Sequence, residues 1–475
     1  MMLEVDPGRA DLLLRHGRIV TMDPERRVLV DGAIAVRGGE IVAAGPDREV
    51  APRFTAPAVR ELNGALVHPG FVDAHVHMGS ELIRGFAPKR SGEWGAAKNV
   101  LFSAHTPASD YLGALLPCME MVANGSTLYA DTGGSFYLDE TIRAIETVGM
   151  RGIPGHWVAD DATLPRANRH FLCAPEVEPL VASTEECLAR LRAQLVRYPF
   201  GGGGRVRCAA STSGMGLSSD RLLIEAKQLA DEHGTPMIMH IAWDEREVSA
   251  SLTTHGRRPV EHLADLGILG PNLTLVHVIH VTEEEIGLIA SSGTRVVHCP
   301  NVSLRRAQGA MRVGRFPEML RAGIPVALGS DGLTGKHDIA RQAYLAAMVS
   351  REVRGELPVI TGETALEMAT LHGAAALGML DEVGSIEVGK RADIVIHRLD
   401  RPESHPLFQD PVDNLIFYAQ SGTVGTVLVD GEAIFDGGRF TRFDAEAAYR
   451  QIDEAAAALE TRIGPRTFAI WPLVE

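Results

Sequence analysis

The sequence lacks most of what would mark an extracellular protein, a membrane protein or a nucleic-acid reader. Its five cysteines, Cys118, Cys173, Cys187, Cys208 and Cys299, are scattered, odd in number and never arranged as Cys-x-x-Cys. That argues against a disulfide framework and a thiolate zinc site, and a reducing, cytoplasmic setting is expected. No run of eighteen uninterrupted apolar residues occurs, and the first eighteen residues mix Asp and Arg into their apolar positions. Neither a membrane span nor a secretory leader is expected. Basic residues are outnumbered: 46 Lys and Arg against 61 Asp and Glu leave a formal charge of −15, which repels phosphate backbones and anionic lipid. What remains is a chain of 475 residues, 45% hydrophobic and 23% charged, with the composition of a soluble globular protein of two or three domains. A small-molecule substrate is expected, with no nucleic-acid or membrane partner.

The texture changes along the chain. Residues 11–20, 28–36 and 40–44 read as short strands separated by turn signals, among them Gly38-Gly39. From about His68 onward, short apolar runs alternate with longer segments of helical periodicity, the mark of repeated βα units around a parallel sheet. The runs are 70–77, 126–131, 152–159, 205–210, 236–243, 273–281, 294–299 and 325–331. Eight of them over this length predict a (β/α)8 barrel. Two helices between runs have clear ends. Residues 220–233 place Leu222, Leu223, Ala226, Leu229 and Ala230 on one stripe and stop at Gly234; Thr282 to Glu285 is a capping box, with Gly293 closing that helix. After two further helices over 362–380, strand texture returns at 385–396, 424–430 and 433–435. The two ends of the chain are therefore expected to build one small domain, residues 1–67 with 381–475, around the barrel over 68–380. Gly201 to Gly204 read as a flexible loop, since no strand precedes them as a phosphate-binding loop requires.

Chemistry concentrates at strand ends. In Pro69-Gly70-Phe71-Val72-Asp73-Ala74-His75-Val76-His77, alternation puts Asp73, His75 and His77 on one side, and the two histidines fall at the C-terminal end, where barrel active sites are built. Alone, a His-x-His on a strand reads equally as a polar cross-strand patch. Three further strand ends change the balance: His240 closes 236–240, His277 closes 273–277, and Asp331 lies in Leu328-Gly329-Ser330-Asp331-Gly332. A single histidine on an apolar strand is ordinarily a satisfied core residue, and a single Asp after Gly-Ser is ordinarily a helix cap. Four such ends on one rim point instead to a site for zinc or another borderline divalent ion, with a position left for water.

With these residues in view, the chain resembles the amidohydrolase superfamily, in the branch of cytosine deaminases, S-adenosylhomocysteine deaminases and triazine chlorohydrolases. The resemblance runs through the segment 69–77, Leu82-Ile83-Arg84-Gly85, Gly125-Ser126-Thr127, His240, His277, 328–332 and Gly384-Ser385-Ile386-Glu387-Val388-Gly389-Lys390-Arg391-Ala392-Asp393. It implies an α/β fold, a (β/α)8 TIM barrel with a small composite β-sandwich domain. It also implies that His75, His77, His240 and Asp331 ligate one metal while His277 contacts its water or the metal. Binuclear relatives carry a carboxylated lysine at the end of the fourth strand. Here that strand runs into Ser211-Thr212-Ser213, so one divalent ion is expected, zinc ahead of iron or manganese. Relatives of this kind are commonly dimers or larger, and a homo-oligomer is expected by that analogy.

Two departures shape the expected activity. The branch's deaminases show His-x-x-Glu at the fifth strand, the Glu protonating a ring nitrogen; the position three after His240 is Trp243, with Asp244 and Glu245 next, both read as the solvated start of a loop. Ser213-Gly214-Met215-Gly216 replaces the His-Pro-Tyr type segment that helps hold the heterocycle. With a divalent ion drawing the pKa of water down from 15.7 toward about 7, Asp331 would take the proton and return it to the leaving group, and His277 would stabilise the oxyanion. The expected reaction is hydrolysis of a C–N bond of amide, urea, carbamate or amidine type. The alternatives are deamination or dechlorination of an N-heteroaromatic and, from another class, an inactive amidohydrolase-fold scaffold. Substrate contacts are expected from Trp94, His105, Trp243, His298, Arg84 and His337, with Arg305 a further rim residue. Cys299 lacks any thiol-activating pattern.

Overall fold

The computed structural model describes residues 8–84, 106–161, 181–332, 335–406 and 410–463. Seven of the eight apolar runs are parallel strands: Phe71–Val76, Ser126–Asp131, Arg151–Ile153, Met237–Ile241, Leu273–His277, Arg295–His298 and Val326–Leu328. The first three pair in one sheet and the last four in another. Strands covered on both faces can be apolar throughout, and every residue of Phe71–Val76 and Ser126–Asp131 is buried.

The fourth run departs from expectation. Residues 205–210 form no regular strand and make one bridge, Gly152 with Val206. The segment is nonetheless stitched on both sides, by Arg207 N–H to Gly152 O (3.1 Å) and by Ala210 N–H to Pro236 O and Thr212 N–H to Ile238 O (both 3.0 Å). Its hydrogen bonds are shared with a turn, Cys208 N–H reaching Tyr198 O, so the ladder never becomes regular. Asp331 N–H donates to His75 O at 2.9 Å, joining the eighth strand's end to the first and closing the ring.

The helix between the fourth and fifth strands, Asp220–His233, begins where Ser219 Oγ accepts from Leu222 N–H and ends at Gly234 with φ +58°. Glu283–Ser292 begins at a reciprocal Thr282–Glu285 cap and ends at Gly293, φ +74°. Both use left-handed glycine caps, as their sequences predict.

Strands from both ends of the chain form one nine-stranded sheet. Leu12–Val20, Val28–Arg37, Glu40–Pro46, Ala58–Glu61 and Leu66–Pro69 come from the N-terminal side, and Ile394–His397, Val424–Val429, Glu432–Asp436 and Arg439–Phe440 from the C-terminal side. The seam is antiparallel, with Val67 opposite Ile396. The Gly-Lys-Arg-Ala-Asp motif mostly turns: only Ile394–His397 of the expected 385–396 strand is extended. Its Asp393 takes the buried Arg151 guanidinium on both oxygens, at 2.7 and 3.1 Å, and Asp430 binds Arg151, Arg205 and Arg391. Arg151 opens the third barrel strand, so this ion network fastens barrel to sheet. No helix among the described residues is long and apolar enough to cross a membrane.

Candidate metal centre

The strand ends bring His75, His77, His240, His277 and Asp331 together. Donor atoms of His75, His77 and His240 lie within 4.8 Å of one another, as do those of His75, His277 and Asp331. His77 Nε2 is 3.3 Å from His240 Nε2 and 3.6 Å from Asp331 Oδ1; His75 Nε2 is 3.9 Å from Asp331 Oδ1, and His277 Nε2 is 3.7 Å from Asp331 Oδ2. Ligands bonded at about 2.0–2.1 Å to a tetrahedral zinc ion stand roughly 3.3 Å apart, so these spacings suit a single ion.

Local partners set which nitrogen faces inward. His240 Nδ1 donates to Ser213 O at 3.0 Å, and His75 Nδ1 meets Thr132 Oγ1 at 3.2 Å, which leaves Nε2 of each to the centre. His75 Nε2 is buried without a hydrogen-bond partner. A buried orphan imidazole nitrogen is costly unless an electrophile takes its lone pair, and that is the observation by which the residues fit a cation. Two backbone features shape the cradle. His277 (φ +77°) and Asp331 (φ +59°) sit in the left-handed region. Gly214, φ +105°, passes so close to the fifth strand that a Cβ would lie 2.3 Å from His240 O.

Electrostatics favours the states a metal needs. Burial, with its imidazole neighbours, drives His75 well below the ordinary histidine range, so it is neutral. Burial would raise Asp331, but its neighbours, the Arg306 guanidinium foremost, outweigh it and hold the carboxyl well below the usual range.

The other expected residues divide. Trp94 and His105 lie outside the described residues. Arg84 and His337, expected at the substrate, belong to a network joining the loops after the first and eighth strands, with Arg84 exposed and His337 buried. Arg84 pairs with Glu81 (2.6 Å) and Glu120, and His337 joins Glu81 Oε1 (3.3 Å) to Ser330 Oγ (2.6 Å), which donates to Asp73 Oδ2 (2.6 Å). His298 is buried with its ring 3.7 Å from that of Phe316; its Nε2 has no hydrogen-bond partner, and burial pushes it down to about 3. Trp243 is partly exposed, and its backbone N–H donates to Glu247 Oε2 at 3.0 Å. Asp244 caps the helix Glu245–His255 and pairs with Arg246, while Glu245 is exposed. Burial lifts the Cys299 thiol well above its ordinary pKa, so it is no nucleophile.

Three residues went unread in the sequence. Thr132 and Asp131, whose Oδ1 is 4.0 Å from His77 Nδ1, end the second strand, and Arg306 stands beside Asp331. The signal for Asp131 was its place at the C-terminal end of an apolar run; nothing separated Arg306 from its exposed neighbour Arg305.

Residues 66–434 match the model of the amidohydrolase family. A 5-methylthioadenosine/S-adenosylhomocysteine deaminase of Nitratidesulfovibrio vulgaris (strain DSM 19637 / Miyazaki F) is 32% identical over 461 residues, 96% of this chain and 99% of the relative. Among solved structures, an adenosine deaminase from Xanthomonas campestris with bound zinc is 28% identical with a TM-score of 0.85, over 96% of this chain and 99% of that one. An atrazine chlorohydrolase from Arthrobacter aurescens complexed with zinc, 24% identical over 94% of this chain and 99% of that one, shares the fold at a TM-score of 0.81.

Proposed function

The chain belongs to the amidohydrolase family, and from that premise we propose that it holds one zinc ion on His75, His77, His240 and Asp331 and hydrolyses a carbon–nitrogen bond of amide, urea, carbamate or amidine type in a small molecule. It is a metal-dependent hydrolase acting on C–N bonds. The observation that carries the finer reading is the convergence of four imidazoles and one carboxylate on a centre where His75 Nε2 is buried and unbonded. We further assign residues 1–67 and 381–475 to one composite domain and 68–380 to the catalytic barrel, a division that the mixed-origin sheet supports.

A divalent cation in such a set supplies Lewis-acid activation of water and of the bond under attack. The chain's own groups handle the protons. Asp331, kept ionised by its neighbours, accepts the proton of the attacking water and passes it to the departing nitrogen. His277, 3.7 Å from Asp331, is the donor placed for the oxygen that gains charge. The Ser213 carbonyl, which can only accept, keeps His240 in one tautomer, and Thr132 Oγ1 holds the His75 ring at Nδ1. Trp243 stands where the deaminases of the resembled branch place the ring-protonating carboxylate, and its nearest buried carboxyl, Glu247, is tied to the Trp243 N–H. A leaving group that needs only the proton from Asp331 therefore suits the site best.

A second reading, deamination of an N-heteroaromatic, is favoured by the deaminase that is 32% identical over 96% of the chain. Release of ammonia or amine from a matched panel of amides, ureas, carbamates, amidines and aminated purines separates the two. Asn tolerates the left-handed backbone of position 331, so Asp331→Asn is expected to fold normally, to lose bound metal and to lose at least about a thousandfold in turnover. Full activity in that variant would overturn the assignment. Trp243→Glu is expected to raise deamination of aminated heterocycles; no gain would mean that pocket shape, not the missing carboxylate, governs substrate choice.

A further inference from the structure

Away from the centre, three more metal-type donors meet. Asp220, His255 and His262 each offer one ligand atom, and those atoms lie within 4.8 Å of one another. Three helices supply them. Asp220 opens Asp220–His233, His255 ends Glu245–His255, and His262 sits midway along Pro259–Asp265. His262 Nε2 is 2.8 Å from Asp220 Oδ1, and since a carboxylate can only accept, the imidazole donates there. The His255 and His262 rings stack, with centroids 3.8 Å apart and planes 25° from parallel. His262 is buried, whereas His255 is exposed and the Asp220 side chain is 44% exposed, so two of the three can close on an ion without disturbing packed core.

The surroundings favour a cation. Asp161, Asp220 and His255 line one cavity of about 330 Å³, room enough for an ion and its water. The charges of Asp220 and Asp161 both act on His255. Desolvation, followed by the neighbouring His262, pulls the His255 imidazole below the ordinary histidine range, so it is neutral near pH 7 and able to ligate. Arg221, the cation on the cavity wall, is taken up by Glu185 and Glu225, both at 2.7 Å. Two imidazoles and a carboxylate are a donor set for zinc or a similar borderline divalent ion.

We propose that Asp220, His255 and His262 form a second divalent-cation site of zinc type, completed by water, that clamps the helix Glu245–His255 to its two neighbours. That helix is capped by Asp244, next to Trp243, so an ion at its other end steadies the segment in which Trp243 stands. The site is independent of the hydrolase reading. The competing account is a stacked histidine pair tethered to an aspartate, which holds the helices together without an ion.

The full chain, stripped of metal, is titrated with zinc in competition with a chromophoric chelator. Wild type is expected to take up one equivalent more than His255→Ala, a difference that holds whether or not the catalytic centre loads, so the two assignments fail separately. Asp220→Asn keeps an oxygen to accept from His262, yet should lose the same equivalent or bind it at least about tenfold more weakly. That equivalent should raise the thermal midpoint of wild type and not of His255→Ala. His255→Cys should regain it and give bound cobalt(II) a thiolate charge-transfer band that wild type lacks. Midpoints without zinc check that the variants fold, and His255→Gln carries the same comparison should His255→Ala be unstable. Equal zinc uptake by wild type, the two His255 truncations and Asp220→Asn would overturn the proposal and leave the three side chains as a packing contact between helices.

Discussion

At position 132, one hydroxyl controls an imidazole. Thr132 Oγ1 meets His75 Nδ1, so the ring offers Nε2 to the centre. Outer partners of metal-binding histidines typically contribute ten- to a hundredfold to affinity. Thr132→Val, which keeps the shape and drops the oxygen, is expected to weaken metal binding by about tenfold or more, read by competition with a chromophoric chelator; unchanged affinity would deny Thr132 its role. The residues that converge at the candidate centre were legible because His and Asp are conspicuous at the ends of apolar runs. Thr132 was not, since a threonine one residue beyond a strand is ordinary, and only the fold brings it to His75. Arg84 and His337 were read as substrate contacts, and the structure shows them bonded within the protein. They lie on the expected loops, yet Glu81, Glu120 and Ser330 meet them first.

Among the elements, the end of the eighth strand packs closely on the first. A Cβ on Gly329 would lie 2.8 Å from His75 Cβ, 3.0 Å from His75 O and 3.1 Å from Cys299 Sγ. Because two of these neighbours belong to His75, a residue of the candidate centre on a packed strand, the clash cannot be relieved by rotating a side chain. Gly329→Ala is expected to cost about 1–3 kcal/mol of stability and to lower metal occupancy with it, measured as the thermal midpoint and metal content of one preparation; a variant equal to wild type in both would refute the argument. Strand order was legible from the apolar runs, seven of which are strands, and Asp220–His233 falls on the predicted residues because its cap, stripe and glycine agree. The fourth strand was over-read. Its apolar residues 208–210 are buried as expected, but pairing that is shared with a turn is a tertiary matter that no local pattern encodes.

Across the whole molecule, a buried histidine pair spans the seam of the nine-stranded sheet. His68 Nε2 and His397 Nε2 are 2.9 Å apart, His68 Nδ1 is 2.7 Å from Pro69 O, and His397 Nδ1 is 2.6 Å from Thr423 Oγ1. Since Pro69 O can only accept, His68 donates from Nδ1 and accepts at Nε2 from His397, whose Nδ1 accepts from Thr423. Both rings must be neutral for this chain of bonds. Burial pushes His68 down to about 4 and His397 well below the ordinary histidine value. Below about pH 6.5 the unfolded chain binds protons that the folded chain refuses, so this contribution is complete above pH 6.5 and is lost as pH falls toward 4. The slope approaches about 1.4 kcal/mol per pH unit for each histidine. Urea unfolding between pH 7.5 and 4.5 should show that decline, and a His397→Gln variant should show a shallower one; parallel profiles would exclude the pair as its source.

The same seam has a consequence for biogenesis. Val67 leaves the ribosome long before Ile396, its partner across the sheet, has been translated. At roughly 5–20 residues per second, the nascent chain carries an unsatisfied strand edge for something like a quarter of a minute to a minute. Until the C-terminal strands emerge, that edge is open to pairing with other chains, so yield in a cell depends on translation speed and chaperone supply as well as on the stability of the finished enzyme.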